Sequence, residues 1–378
     1  LYNLSSKYKK LVKETDDFGL STSVRAALNL SYKTKAYETF LSFQEVFTMG
    51  DRTQLSPTSN GNFRVQEAWA NVGLSENVSL KLGRQGIAYD DQRIMGPVGW
   101  AMQKRTHDAA IFKYHADDLS LDLGLAYNQE KFSLTGNDYF SAGNFSYKTM
   151  QYVHAKKSFE KGNLSALILN NGFQTAGTEV FNLLTAGIHA GLKIRSVLFH
   201  ANAFVQDGER VGGEKVSGAY LVSFDAAYKV NERMTYGLGG SVISGKTDHS
   251  AAFSPLYGTN HKFNGFMDYF YVGQHANSVG LIDLHASAKV KFGKGYGVFM
   301  KVMNFQGEQV LPTGETSLGT ELDLVLSKKF DGFVVKAGYS QMFANEGMYE
   351  LQGISEDESS DAQNWVWMML VFKPKFIQ

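Results

Sequence analysis

The feature that most constrains this chain is an alternation of period two, recurring along its length, in which one face is apolar and the other polar or small. Leu119 to Asn128 reads LSLDLGLAYN. Leu119, Leu121, Leu123, Leu125 and Tyr127 fall on one side. Ser120, Asp122, Gly124, Ala126 and Asn128 fall on the other. Side chains alternate across a strand, so this is a strand with one greasy and one wet face. The pattern returns at Thr185 to Leu192, Val197 to Gln206, Tyr220 to Tyr228, Ile282 to Lys291 and Leu318 to Ser327. In a soluble sandwich the apolar face meets a second sheet, and some strands are apolar on both faces. Here the second face is repeatedly Gly, Ser, Thr, Asn, Asp, Lys or His, which predicts a wet interior and a lipid-facing exterior.

The connections alternate too. Short ones carry turn chemistry: SENV at Ser75, HADD at His115, FEKGN at Phe159, KIRS at Lys193, VNER at Val230, FGKG at Phe292 and KFDG at Lys329. Long ones are polar: Gly50 to Asn62, Asp90 to Arg105, Gln129 to Ser146, Asp207 to Ser217, Gly245 to His275 and Phe343 to Asn364. Short turns on one side and long loops on the other are expected of an up-and-down barrel. About 17 strand candidates run from Ser21 to Phe376, each near the ~9–11 residues of a tilted membrane strand. Leu1 to Lys10 supplies one more. The reading is therefore all-β: one transmembrane antiparallel up-and-down barrel domain over residues 1–378, of about 18 strands, with short periplasmic turns and long extracellular loops. Strand-end aromatics (Tyr32, Tyr37, Phe47, Tyr127, Tyr228, Phe292, Phe305, Phe330 and Phe372) are expected to form interfacial girdles. The aromatic-rich strand from Asn364 to Phe376 is expected to close the barrel against the N-terminal strand.

Composition agrees. The 378 residues hold 38 Gly, 27 Phe and 19 Tyr, only 5 Pro and no Cys. Without cysteine there are no disulfides, zinc ribbons or thiol nucleophiles. With 37 basic and 37 acidic side chains the net charge is zero, unlike a nucleic-acid coat. The longest uninterrupted apolar run, Trp365 to Phe372, is far short of the ~18 residues of a helical span. Leu1 to Leu11 lacks an apolar signal region, so the numbering is expected to start after a cleaved signal peptide.

Leu80 to Tyr114 is the most distinctive stretch: LKLGRQGIAYDDQRIMGPVGWAMQKRTHDAAIFKY. With Gly83–Arg84–Gln85, Tyr89 to Gly96, Trp100, and Arg105, His107 and Asp108, it resembles the alginate-export family of outer-membrane barrels, in particular Bacteroidetes-type members. Upstream, Ser42 to Phe47 and Gln66 to Val72 fit as well. The resemblance covers Ser21 to Tyr114. It implies a monomeric, 18-stranded barrel of the bacterial outer membrane that passes an anionic polysaccharide through an arginine-lined lumen. This chain departs from that pattern in charge. Its inferred lumen face carries Arg25, Lys81, Lys289 and Lys336, but also Glu38, Glu67, Asp122, Asp225, Asp283, Glu321 and Asp323. Small anionic or neutral solutes, including uronate oligosaccharides, are the expected cargo.

The alternation of Val78, Leu80 and Leu82 breaks at Gly83, and a bulge there would turn Arg84 into the lumen. The segment after this strand has the length to fold inward. A constriction of Arg84, Gln85, Arg93 and Arg105 against Asp91 and Asp108 is the functional reading, and an ion-pair network that pins the loop is its alternative. Arg25 and Lys81 extend the substrate path. Trp100 is either a stacking surface for a sugar ring or a loop anchor.

Other motifs carry less. Gly240 to Thr247, GSVISGKT, matches a phosphate-loop pattern, but a strand precedes it and no helical period follows, so it is read as a chance match. His249, His261 and His275 share one long loop without metal-pair spacing and are read as solvated. The acidic run Ser355 to Asp361 does not match a calcium loop and is read as a solvated tip. His107–Asp108 and His200 are candidates for an enzyme in name only. No catalytic residue, metal or cofactor is assigned. The expected partners are outer-membrane lipid, lipopolysaccharide and the solute, with no nucleic acid. The alternative is a loop-plugged structural barrel, an accessory subunit of a larger envelope complex.

Overall fold

The computed structural model describes residues 2–3, 10–17, 19–51, 63–141, 146–175, 177–270, 279–360 and 363–376. The strands are β1 (Tyr2–Asn3), β2 (Ser21–Lys33), β3 (Tyr37–Thr48), β4 (Arg64–Gly73), β5 (Val78–Gln85), β6 (His107–Ala116), β7 (Leu119–Tyr127), β8 (Thr149–Phe159) and β9 (Gly162–Gln174). They continue as β10 (Val180–Ile194), β11 (Val197–Glu209), β12 (Lys215–Lys229), β13 (Met234–Ile243), β14 (Leu281–Lys291), β15 (Tyr296–Gln306), β16 (Ser317–Lys329), β17 (Phe333–Ala344) and β18 (Asn364–Phe372). From β2 to β18 each strand pairs antiparallel with the next. The two-residue β1 closes the ring, with Tyr2 opposite both Met368 of β18 and Thr22 of β2. Among the described residues the result is seventeen long strands and one short one, an up-and-down barrel.

The alternation sets the two faces. In β7 the outward leucines 119, 121, 123 and 125 are 41–42% exposed, while Asp122 and Ala126 are buried inside. Each such side chain is worth ~1.5–3 kcal/mol when removed from water, so a belt of them needs lipid. The barrel is membrane-spanning. Tyr32, Tyr37, Tyr127, Tyr228, Phe330 and Phe372 are exposed as girdle positions, while Phe292, also exposed, borders the lumen cavity. Phe305 does not face outward. It shares the inward phase of Lys301 and Met303, is fully buried, and packs on Phe270 with ring centroids 4.7 Å apart.

The tight turns gather at one end. At the other, the expected long loop from Asp207 to Ser217 is largely strand: β11 and β12 extend until five residues, 210–214, join them. Phe343 to Asn364 holds a short helix, α1 (Glu346–Gln352). The acidic tip folds as a 3-10 turn at Glu356–Glu358, with Glu358 3.4 Å from Lys13; Asp361 lies outside the described residues. The expected strand from Leu1 to Lys10 is described only at β1 and Lys10.

Candidate functional site

Two segments from the long-loop end enter the lumen. The first is the expected one, between β5 and β6. The second joins β13 to β14, and Ala251 to Asn260 within it are buried. They lock to each other through backbone. Met95 and Tyr257 form a parallel bridge, Gly96 N–H donates to Tyr257 O (2.8 Å) and Thr259 N–H donates to Gln92 O (2.9 Å). They also lock to the wall. Asn202 Nδ2 donates to Asp91 Oδ2 (2.7 Å), and His154 Nε2 lies 3.0 Å from Asp90 Oδ2. Asn171 Nδ2 donates to Tyr257 OH (2.7 Å), and Gln206 and Ser254 exchange bonds of 2.7 and 2.9 Å. Buried loop backbone needs such partners.

Most of the proposed constriction residues act in this lock. Arg93 is fully buried, its guanidinium 3.8 Å above the Phe263 ring, and its three side-chain nitrogens have no hydrogen-bond partner among the described residues. Burial pushes its pKa down, against the pull of the Asp91, Asp225 and Asp283 carboxylates. Arg105 Nη1 donates to Gly258 O (3.2 Å), Arg25 Nη1 to Ala101 O (3.1 Å) and Gln85 Nε2 to Ala109 O (2.9 Å). Lys81 faces the lumen, 3.8 Å above the Trp69 ring. Arg84 overturns its expectation. The ladders on both sides of β5 run through Gly83 without a shift, so no bulge re-aims the next residue. Gly83 instead has φ +120°, and a Cβ there would stand 2.2 Å from Ala68 O. Arg84 stays on the outer face with Leu80 and Leu82, forming a bidentate ion pair with Asp108 (2.7 and 2.8 Å). Asp108 is outside for the same reason, while its neighbour His107 is inside, 2.9 Å from Tyr147 OH, so the two do not make a pair.

On the turn side of the two segments, against β14 to β18, lies a cavity of about 1000 Å³. Its wall is written in inward rows across the strands. One row is Lys289, Phe299, Val325, Gly338 and Trp367; the next toward the turns is Lys291, Gly297, Ser327, Lys336 and Met369. Trp100 roofs it, stacked on His261 at 3.8 Å. Lys262, Lys289, Lys291, Lys301, Lys329 and Lys336 line it, with Asp268 as the acidic lining residue. Asp268 is engaged by His261 Nδ1 at 3.0 Å. No carboxylate lies within 4 Å of those six ammonium groups among the described residues. Lys301 donates to Phe263 O (2.7 Å) and Lys262 to Asp91 O (3.1 Å).

The sequence reading missed the second lumen segment and with it the cavity. A signal was there: Ala251, Ala252, Phe253, Pro255, Leu256 and Tyr257 are too apolar for a solvated loop. His261, read as solvated, is stacked and hydrogen-bonded; His249 is exposed, and His275 lies outside the described residues. Gly240 to Ile243 completes β13, and no helix opens at Lys246 and Thr247.

No family model matches the chain, and no curated protein matches its sequence. Solved structures do. OccAB4 of Acinetobacter baumannii superposes with a TM-score of 0.64 at 14% identity, over 98% of this chain and 96% of that one. The outer membrane protein OpdK of Pseudomonas aeruginosa, solved with vanillate, gives 0.63 at 11% over 98% and 96%. OccAB1 of A. baumannii gives 0.66 at 11% over 98% and 92%. The fold is that of an outer-membrane barrel. These neighbours are Occ and Opd proteins, and the alginate-export resemblance of Leu80 to Tyr114 gains no support from them.

Proposed function

We propose that the chain is a monomeric channel of the bacterial outer membrane, its belt in contact with lipid and lipopolysaccharide, that passes small anionic solutes by diffusion. The observation that carries this reading is the lysine-lined cavity. Six lysines and one acidic residue, Asp268, line one chamber, and such clustering of one sign concentrates anions and repels cations. The structure of OpdK with vanillate, a small carboxylate, supports the same reading. Uronate oligosaccharides, suggested by the alginate-export resemblance, are a finer class within it. No catalysis, metal or cofactor is part of the proposal.

A second reading rests on the two inward segments. Their dense packing against β8 to β13 favours a barrel closed by its own loops, serving as a scaffold. Liposome swelling separates the two. Liposomes carrying the protein should swell faster in small carboxylates than in uncharged sugars of equal size. No swelling in either, from folded protein, would favour the scaffold.

A further inference from the structure

The cavity has a second character besides charge. The chain has four tryptophans, and three are engaged. Trp69 meets the Lys81 ammonium at 3.8 Å and the Phe40 ring stacked at 5.5 Å. Trp100 stacks on His261, and Trp365 is buried. Trp367 differs. It stands directly opposite Gly338 across β17 and β18, and a Cβ at Gly338 would lie 2.1 to 2.4 Å from its Cε2, Nε1 and Cζ2. The indole therefore lies flat on bare backbone, in a recess that only the missing side chain provides. The same residue lines the cavity. Among the described residues its one ring neighbour is Trp365, tilted by 38° with centroids 6.0 Å apart, and no cation stands above it.

Trp367 also packs against the buried apolar cluster, but that contact alone does not call for an indole. Its indole N–H is buried without a hydrogen-bond partner among the described residues, a loss that a thioether such as Met369, the next inward residue, would not incur. The surroundings are small. Gly338, Val325, Ser327 and Gly297 leave a shallow floor beside the ring, and Lys336 is the next inward residue on β17, ~7 Å along the strand. A six-membered ring laid on Trp367 would present a carboxylate on its edge to that ammonium.

We infer that Trp367, seated on Gly338, is a stacking platform that makes the chamber prefer ring-bearing carboxylates to open-chain carboxylates of equal charge. This rests on the anion-channel reading and adds ring recognition to it. Aromatic rings and the C–H faces of sugar acids share the chemistry that stacks on indole. The flat indole loses little conformational freedom on binding, so its preference is for ring shape more than for charge.

The test uses the whole protein in a planar bilayer and two matched pairs of blockers. Benzoate is compared with hexanoate, and glucuronate with gluconate. In at least one pair the ring member should halve the current at a several-fold lower concentration; which pair does so tells an aromatic from a sugar acid. Trp367→Ala should bring that ratio to about one, Trp367→Phe should keep part of it, and Gly338→Ala, which pushes the indole off the wall, should reduce it. Trp69→Ala should leave it unchanged. Equal block by ring and chain in both pairs, in a wild-type pore that is anion-selective in plain salt, overturns the platform and leaves the channel reading intact. A wild-type pore without anion selectivity overturns the channel reading itself. A ratio that survives Trp367→Ala overturns the assignment to this residue.

Discussion

The two walls of the lumen use charge in opposite ways. On the wall from β6 to β13, charged groups are consumed: Asp122 by Lys113, Asp90 by His154, Asp91 by Asn202. Two chain segments lie against that wall and leave little free space. On the wall from β14 to β18, five lysines line a cavity, joined by Lys262 from the second segment, and none of the six has a carboxylate within 4 Å among the described residues. The two sets come from the same alternating pattern and the same mix of residue types. Paired charge fixes a loop, because a buried ion needs a partner. Unpaired charge facing water is free to act on a solute. One wall builds the chamber and the other gives it a sign.

The largest expected effect comes from changing that sign. Lys289, Lys291 and Lys336 replaced together by Glu should reverse the preference from anions to cations, read as a reversal potential of opposite sign across a salt gradient. Next comes the packed wall. Asp91→Ala removes the acceptor for Asn202 and for the Arg93 backbone N–H, and strands buried donors at about 1–3 kcal/mol. The loop should loosen, and single-channel records should show larger, noisier conductance with little change in selectivity.

Acid should reach the same wall. Burial works to raise the Asp90 carboxyl, but the hydrogen bond with His154 and the nearby Ser165 hydroxyl and His189 outweigh it and hold Asp90 below its usual 3.8. A depressed carboxylate stabilises docking above its ordinary value, and that contribution is lost as pH falls through the lower folded value. Current noise should therefore grow below about pH 4, and Asp90→Asn should show it already at neutral pH. Arg84→Ala should do least. The pair with Asp108 is outside the barrel and half exposed, worth under about 1 kcal/mol. A shift in reversal potential in this variant would mean that Arg84 reaches the lumen.

The fold was legible because strand geometry has a period of two, and the inner and outer faces follow from counting. The same count explains two errors. Phe305 was placed in a girdle for its position at a strand end, although its phase with Lys301 puts it inside. Arg84 was given a bulge because Gly83 interrupts the apolar residues, whereas a glycine at positive φ keeps the ladder in register. The site was less legible. Whether Asp91 meets Asn202, 111 residues away on β11, depends on the segment after β5 folding back into the lumen, which no local pattern encodes. The cavity is what those segments leave unfilled, so it is a property of the packing and has no motif of its own.

On the proposed reading, the β14–β18 wall gives the pore its sign. The most direct measurement is the reversal potential of the purified protein in a planar bilayer across a potassium chloride gradient, beside the variant with Lys289, Lys291 and Lys336 changed to Glu. Discrete conductance steps with chloride preferred, turning to potassium in the variant, are the expected result. A pore with the same reversal potential before and after the substitutions would contradict it.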